Sequence, residues 1–149
     1  MNLIYMDLAF REAEKAYKRG EVPVGAVIVK NGKVIAKAYN KKEKTFCAVN
    51  HAEIIAIKRA SKKNKNWRLD DCDIYVTLEP CPMCASAIKQ ARIKNVYSGI
   101  SNKDENNNVL IKKIFETDRV NSAVNFVNEL SVKKSEMLLQ KFFASRRKK

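Results

Sequence analysis

Two short segments of the chain carry side chains that can bind a metal ion and move protons. Cys81 and Cys84 have the C-x-x-C spacing that lets two thiolates bind one metal, and His51, the only histidine in 149 residues, offers a third donor. A tetrahedral zinc ion with three protein ligands keeps one position open, which distinguishes a catalytic site from a structural one. Zinc lowers the pKa of water in that position from about 15.7 to roughly 7. The spacing therefore favours a catalytic zinc site.

Glu53 follows the histidine by two residues and precedes an apolar run. A carboxylate in this position can take a proton from the water and pass it to a leaving group. Each motif alone has a second explanation, because a C-x-x-C pair is also found in redox or structural sites and a single histidine is commonly a core residue. The combination of H-x-E with a later P-C-x-x-C is far more specific, since it is the signature of zinc-dependent nucleobase deaminases.

Longer segments extend the match beyond the zinc motifs. They are GEVPVGAV at residues 20–27, VTLEPCPMCA at residues 76–85, FFASRR at residues 142–147, and Asn40. With these segments the chain resembles the bacterial tRNA-specific adenosine deaminases, within the cytidine deaminase superfamily, from the first helix to the last. The resemblance implies a cytidine deaminase-like fold, one zinc ion per subunit and a homodimer.

The resemblance also implies a reaction and a substrate. The expected reaction is hydrolytic deamination of adenosine to inosine at the wobble position of a tRNA anticodon, by zinc-activated water with Glu53 as the proton shuttle. The metal ligands are expected to be His51, Cys81 and Cys84. Substrate binding is expected from three further residues, Asn40, Val24 and Ala52. The expected partner is the anticodon stem-loop of a tRNA, whose unpaired bases can be splayed out and read singly.

Contacts with RNA are expected from Asn102, Lys103, Arg146 and Arg147. The family usually carries a Gly-Ala-x-Asp-x-Lys-x-Gly-type loop at residues 99–108, but this chain reads GISNKDENNN, with Asn102 at the position of the aspartate and without the later glycines. This difference in sequence has two explanations. Either the contacts with RNA have changed, with a changed preference between RNA and DNA, or the segment is a surface loop whose sequence varies without a functional effect. Likewise, Asn121-Ser122 replaces the usual Asn-His, and the basic tail at residues 146–149 is either a phosphate contact or a solvated terminus.

Length and composition indicate a single deaminase domain over residues 1–149. Cys47 and Cys72 show no partner spacing, so we expect no disulfide framework and a reducing cytoplasm. Charges interrupt the first twenty residues and no 18-residue apolar run occurs, so we expect neither secretion nor a membrane span. The net charge of +14 would attract a polyanion, but an overall abundance of lysine explains it equally well.

Apolar periodicity predicts the elements that must position these residues. An amphipathic first helix has its apolar face at Leu3, Met6, Phe10, Ala13 and Tyr17. Strands are predicted at residues 24–29, 34–39, 73–78, 94–99 and 124–127, the first two joined by Asn31-Gly32. Helices are predicted at residues 51–62, a helix mostly buried on one side that contains Ile54, Ile55, Ala56 and Ile57, at 81–91, and at 133–147 with Met137, Leu138, Phe142 and Phe143 at core spacing. This order favours a three-layer α/β/α sandwich with a five-stranded mixed sheet.

Two other functions fit the same motifs. A deaminase of a free base or nucleoside, such as cytosine or guanine, would use the same zinc and glutamate, although the positive charge favours a nucleic acid. A non-catalytic RNA-binding module stabilised by zinc is the more distant possibility. The module would tolerate the change Glu53→Gln, whereas an enzyme would lose turnover.

Overall fold

The computed structural model describes residues 2–117, 123–130 and 133–147. Over these residues the helices are α1 (Leu3–Lys18), α2 (Ala52–Asn64), α3 (Pro82–Gln90), α4 (Glu105–Glu116) and α5 (Lys133–Arg147). The strands are β1 (Gly25–Lys30), β2 (Lys33–Tyr39), β3 (Cys72–Leu78), β4 (Asn95–Ile100) and β5 (Asn125–Val127). None of these helices is long and apolar enough to cross a membrane.

The five strands form one mixed sheet in the order β2-β1-β3-β4-β5. Strand β1 pairs antiparallel with β2 and β3, whereas β3, β4 and β5 are parallel. Helices α2, α3 and α4 pack on one face through a core that includes Ala56, Ile88 and Phe115, and α1 packs on the other face through Met6 and Ala9. The predicted three-layer α/β/α sandwich with a five-stranded mixed sheet is therefore confirmed.

A tight turn at Asn31-Gly32 joins β1 to β2. Both residues have positive φ angles, 50° and 73°, as the central residues of a type I′ turn require. The turn pairs Lys30 with Lys33, and a register shift between Ile28 and Val29 then leads to the pairing of Gly25 with Tyr39. Because Asn40 follows β2 directly, the hairpin returns it to the end of the sheet from which α2 starts.

The predicted core faces of α1 and α5 were partly wrong, whereas α2 is buried on one side as predicted. On α1 and α2 the alanines face the sheet, while Leu3 is 54% exposed and the isoleucines of α2 are only half-buried. Small side chains bring a helix close to a sheet, so the larger neighbours are displaced to the rim. On α5 the buried residues are Ser135, Leu139 and Phe142, with Met137 and Phe143 exposed and Leu138 half-buried.

Helix α4 was not predicted. Its signals are an N-cap, Asp104, whose side chain accepts a hydrogen bond from the Asn106 N–H at 3.0 Å, and the apolar spacing of Ile111, Ile114 and Phe115. Ile111 and Phe115 are fully buried. Residues 105–108, at the end of the segment expected to be an atypical loop, are therefore the first turn of a helix that packs on the core.

Helix α1 lies so close to β1 that position 25 has no room for a side chain. A Cβ atom on Gly25 would lie 2.0 Å from the Ala9 carbonyl oxygen and 2.6 Å from the Ala13 nitrogen. We expect Gly25→Ala to lower the free energy of unfolding by about 3 kcal/mol, because backbone atoms must move apart. Urea denaturation monitored by circular dichroism measures this loss.

The matched control is Gly32→Ala. Its Cβ would meet only the Tyr5 hydroxyl at 4.0 Å, so the cost is the strain of a left-handed φ of 73°, about 1 kcal/mol. Equal losses for the two variants would contradict the close approach of α1 to β1.

Candidate active site

The start of α2 and the start of α3 meet at one end of the sheet. His51 is the N-cap of α2 and Cys81 is the N-cap of α3, and neither side chain makes a capping hydrogen bond. Pro82 at the first position of α3 needs no hydrogen-bond partner for its nitrogen. Both cap side chains are therefore available for other partners, and two positive helix ends converge where they meet.

The structure brings His51, Cys81 and Cys84 into one group. The His51 Nδ1 atom lies 3.7 Å from the Cys81 sulfur and 3.5 Å from the Cys84 sulfur, and the ligand atoms all lie within 4.8 Å of one another. In a tetrahedral zinc site, bonds of about 2.3 Å to sulfur and 2.0–2.1 Å to nitrogen place those two ligands about 3.6 Å apart. The spacing and the chemistry of the donors fit a metal ion.

The two thiols of this group differ in acidity. The hydrogen bond with Cys84, together with one to His51, lowers the pKa of Cys81 to about 4. The same interaction with Cys81, strengthened by burial, raises the pKa of Cys84. The two sulfurs therefore interact with each other, as two donors to one metal ion would.

Glu53 lies in the first turn of α2, beside this group. Its side chain is 3% exposed, and burial raises the pKa of its carboxyl to about 7. An interaction with the Cys84 thiol opposes part of this rise in pKa, which places Glu53 beside the sulfur donors. A carboxyl with a pKa near neutrality can both accept and release a proton under physiological conditions.

The predicted substrate-binding residues lie around the start of α2. Asn40 is buried, and its side chain donates to the Val22 carbonyl at 3.4 Å and accepts from the Lys42 N–H at 3.2 Å. Val24 is buried too and accepts the Asn40 backbone N–H. The Ala52 side chain is fully buried, so the backbone N–H is the group that Ala52 can offer a ligand. Their roles in binding stay predictions.

The loop between Asn40 and His51 is held in place by Glu21. This buried carboxylate accepts the backbone N–H groups of Glu43 at 2.9 Å and Lys44 at 2.8 Å. A further bond from the Lys41 N–H to the Asn50 carbonyl closes the base of the loop. Glu21 therefore fixes the segment that leads into the first ligand, a role that the sequence did not suggest.

A cavity of about 730 Å³ opens at the ends of β3 and β4, against helix α5. Asn102, Lys103 and Arg147 line it, together with the apolar side chains of Val22 and Phe143. None of the three candidate ligands lines this cavity. Three of the four predicted RNA contacts therefore share one surface.

The fourth predicted RNA contact is engaged within the protein. The Arg146 guanidinium donates to the Gly20 carbonyl and stacks on the Phe142 ring, 4.9 Å from its centroid. Asn121, Ser122, Lys148 and Lys149 lie outside the described residues, so the predictions made for them stay predictions.

Besides Glu21, the sequence did not suggest a role for Glu79, whose carboxylate is also buried. Glu79 accepts hydrogen bonds from the side-chain amides of Asn107, Asn108 and Asn128. These four residues are called the Glu79 cluster. Its contacts join residues 28 to 49 positions apart, so no local pattern in the sequence indicates them.

Comparison with known proteins places this arrangement in a family. A family model described as MafB19-like deaminase matches residues 2–147. The tRNA-specific adenosine deaminase of Bacillus subtilis (strain 168) is 38% identical over 146 residues, which is 98% of this chain and 91% of that protein. The chain belongs to the tRNA-specific adenosine deaminase family. The family named from the sequence motifs is thereby confirmed.

Two solved structures show what else this deaminase family's fold accommodates. A structure from work on A-to-I editing by tRNA:A34 deaminases at the wobble position of transfer RNA has a TM-score of 0.84 and 36% identity, covering 93% of this chain and 100% of that one. The Bacillus subtilis guanine deaminase has a TM-score of 0.67 and 31% identity, covering 99% of this chain and 95% of that one. Proteins that share this fold are thus named for different purine substrates.

The ligand geometry generates a prediction about bound metal. We expect the purified protein to carry about one transition-metal ion per chain, and Cys81→Ala to lose most of it, because two remaining donors hold the ion weakly. Inductively coupled plasma mass spectrometry on desalted protein measures the content. Cys47→Ala is the control, since this half-buried free cysteine is not in the group and should change nothing. Equal metal content in the two variants would refute the assignment.

Proposed function

We propose that the protein is a zinc-dependent deaminase that converts adenosine to inosine at the wobble position of a tRNA anticodon. The observation that carries this proposal is the buried carboxyl of Glu53 next to the His51, Cys81 and Cys84 group. The full-length similarity to tRNA-specific adenosine deaminases supports the substrate. We also propose that residues 1–149 act as one domain.

His51, Cys81 and Cys84 would hold the zinc ion, one per subunit. Two cysteines and a histidine are ligands that zinc prefers, and three of them leave a fourth position for the reaction. When bound, zinc supplies the acidity that makes water a nucleophile near neutral pH. The converging starts of α2 and α3 add two positive helix ends, which favour the thiolate forms of the cysteines.

Glu53 moves the protons. It takes one proton from the attacking water and delivers it to N1 of the adenine ring, so that a new bond from oxygen forms at C6. It then takes the remaining proton from the oxygen on C6 and passes it to the amino group. The C6–N bond breaks as the C6 carbonyl of inosine forms, and ammonia leaves. Its burial excludes bulk water that would otherwise exchange with the carried proton.

Other residues hold the nucleoside and the RNA around it. In this proposal Asn40 and Val24 bind the nucleoside and the backbone N–H of Ala52 faces it, while Asn102, Lys103, Arg146 and Arg147 contact the stem-loop. Asn102, Lys103 and Arg147 line one cavity, which supports a shared role for them in contacting the stem-loop. A net charge of +14 supports binding of a polyanion.

We propose a homodimer in the cytoplasm. The loop that leads into α2 exposes Phe46 and Val49, apolar side chains that a second copy would cover. The four free cysteines and the tRNA substrate both fit a reducing cytoplasm.

Deamination of a free purine is the second candidate function. The observation that favours it is the similarity to Bacillus subtilis guanine deaminase, at 31% identity. It would use the same metal ligands and the same glutamate, so only the substrate distinguishes it from the proposed function.

The reaction is tested with the zinc-loaded protein and an anticodon stem-loop that carries a wobble adenosine. We expect inosine from the stem-loop, and a loss of about a thousandfold or more in kcat for Glu53→Gln, equivalent to about 4 kcal/mol of barrier. The variant should keep its zinc and its circular dichroism spectrum, because the amide retains the shape of the carboxyl. Mass spectrometry of nuclease digests quantifies inosine.

Free adenosine, cytosine and guanine are assayed beside the stem-loop. Turnover of guanine alone would establish the second function and overturn the tRNA assignment. Full stem-loop activity in Glu53→Gln would remove the glutamate from the mechanism.

The role of Lys103 is tested through salt dependence. We expect Lys103→Ala to weaken stem-loop binding and to lower the slope of log affinity against log salt by about one, because one phosphate contact is lost. Fluorescence anisotropy between low and moderate salt measures the slope. Lys63→Ala is the control, since this exposed lysine lies in the last turn of α2, at the end opposite His51. Equal slopes in both variants would exclude a Lys103 contact.

A further inference from the structure

Glu79 is a buried carboxylate that lies close to the candidate metal ligands in the chain but takes no part in the proposed chemistry. Its side chain is 2% exposed, and it directly precedes Pro80 and Cys81. Its backbone N–H donates to the Ile100 carbonyl at 2.8 Å, which joins the end of β3 to the end of β4. A buried carboxylate is costly unless its oxygens accept hydrogen bonds, so the partners of Glu79 explain its presence.

Those partners are three neutral amides. Asn108 donates to Oε1 of Glu79 at 2.6 Å, Asn128 donates to the same oxygen at 2.7 Å, and Asn107 donates to Oε2 at 2.8 Å. Asn107 also donates to the Pro80 carbonyl at 3.2 Å. Hydrogen bonds that end on a carboxylate are shorter and stronger than those between neutral groups. The cluster therefore ties the start of α4 and the segment after β5 to the turn that carries Cys81.

The same cluster extends to the residue that follows β4. Asn128 donates a second hydrogen bond to the Ser101 hydroxyl at 2.9 Å, and that hydroxyl donates to the Glu129 carboxylate at 2.8 Å. At the other end of the short segment 101–104, Asp104 caps α4 and its N–H donates to the Asn102 side chain at 2.9 Å. Segment 101–104 is thus fixed at both ends.

Segment 101–104 is a wall between two cavities. Ser101, Asn102 and Lys103 line the 730 Å³ cavity and also a second cavity of about 670 Å³ on the α4 side. A shift of this wall would change the shape of both spaces and move two of the residues proposed to contact RNA. The position of the wall relative to Cys81 depends on the bonds to Glu79.

The amides are not needed to keep α4 on the protein. Ile111 and Phe115 anchor the helix in the core with 0% and 1% exposure. Strands β3 and β4 are joined by their own ladder, from Asp73 paired with Asn95 to Leu78 paired with Ile100. Loss of one asparagine amide would therefore leave the fold in place and release mainly the wall.

We propose that the Glu79 cluster is a positioning device that sets segment 101–104, the wall of the RNA-binding cavity, at a fixed place relative to the candidate metal ligands. This inference rests on the proposed function. Glu79 and its asparagines do not touch the substrate; they act through Ser101, Asn102 and Lys103. A misplaced wall weakens the fit of the RNA that surrounds the adenosine, whereas Glu53 and the metal ligands stay where they are.

The test compares Asn108→Ala with Asn106→Ala in the zinc-loaded protein. Asn106 is the matched control, because it lies in the same turn of α4 but is exposed and outside the cluster. For Asn108→Ala we expect KM for the anticodon stem-loop to rise about tenfold, equivalent to about 1.4 kcal/mol. We expect kcat to fall by less than about threefold, with unchanged zinc content. Asn106→Ala should match the wild type.

Hydrogen exchange followed by mass spectrometry supplies a readout that does not depend on activity. Deuterium uptake should rise in peptides covering segment 101–104 in Asn108→Ala and not in Asn106→Ala. Glu79→Gln should have the same effect, because its amide nitrogen would face asparagine donors. In the variant that combines Asn108→Ala with Glu79→Gln, the rise in KM should be smaller than the product of the two single effects, as expected for groups in one network.

Two results would overturn the inference. One is that Asn108→Ala and Asn106→Ala have the same KM and the same uptake at segment 101–104. The other is that Asn108→Ala raises uptake throughout the chain and lowers kcat and zinc content with KM unchanged, which is the result of general destabilisation. If the wild type deaminates no stem-loop, the proposed function fails, and uptake at segment 101–104 alone decides whether the cluster positions the wall.

Discussion

The convergence of two helix starts at one end of the sheet is the constraint on which the rest of the site depends. His51 and Cys81 are both N-cap residues, and neither uses its side chain for capping. A helix start that lacks a side-chain cap leaves N–H groups unpaired and a positive end exposed, which costs stability by itself. The same positive ends also favour the thiolate forms of the cysteines in the candidate metal site.

This convergence requires helices that pack close to the sheet. On α2 the residues facing β1 and β2 are alanines, and on α1 the contact is close enough that β1 carries Gly25. Larger side chains would lift the helices away and move their starts apart. The small residues of these faces are therefore part of the site's geometry, although none of them takes part in the chemistry.

The sequence predicted the chemical group better than its surroundings. His51, Glu53, Cys81 and Cys84 lie in short motifs whose spacing is meaningful without knowledge of the fold, and the Asn31-Gly32 turn is equally local. The faces of the helices were less predictable, because whether Ala56 or Ile54 meets the sheet depends on how close the helix can come. Helix α4 was missed because its first turn was compared with a family loop rather than read for Asp104 as a cap. The Glu79 cluster joins distant positions and could not be predicted from local patterns.

Substrate choice in this family has to come from the walls of the site. Relatives named for guanine and for tRNA adenosine share the fold, and one of each is more than 30% identical to this chain. A shared fold does not by itself distinguish a free base from a base within an RNA loop. The wall at segment 101–104 includes Asn102, where the sequence departs from the family pattern, and Asn128 joins its first residue, Ser101, to the buried carboxylate of Glu79. In the proposal made above, the Glu79 cluster sets this wall, and substrate choice would then depend on side chains that touch neither the substrate nor the candidate metal ligands.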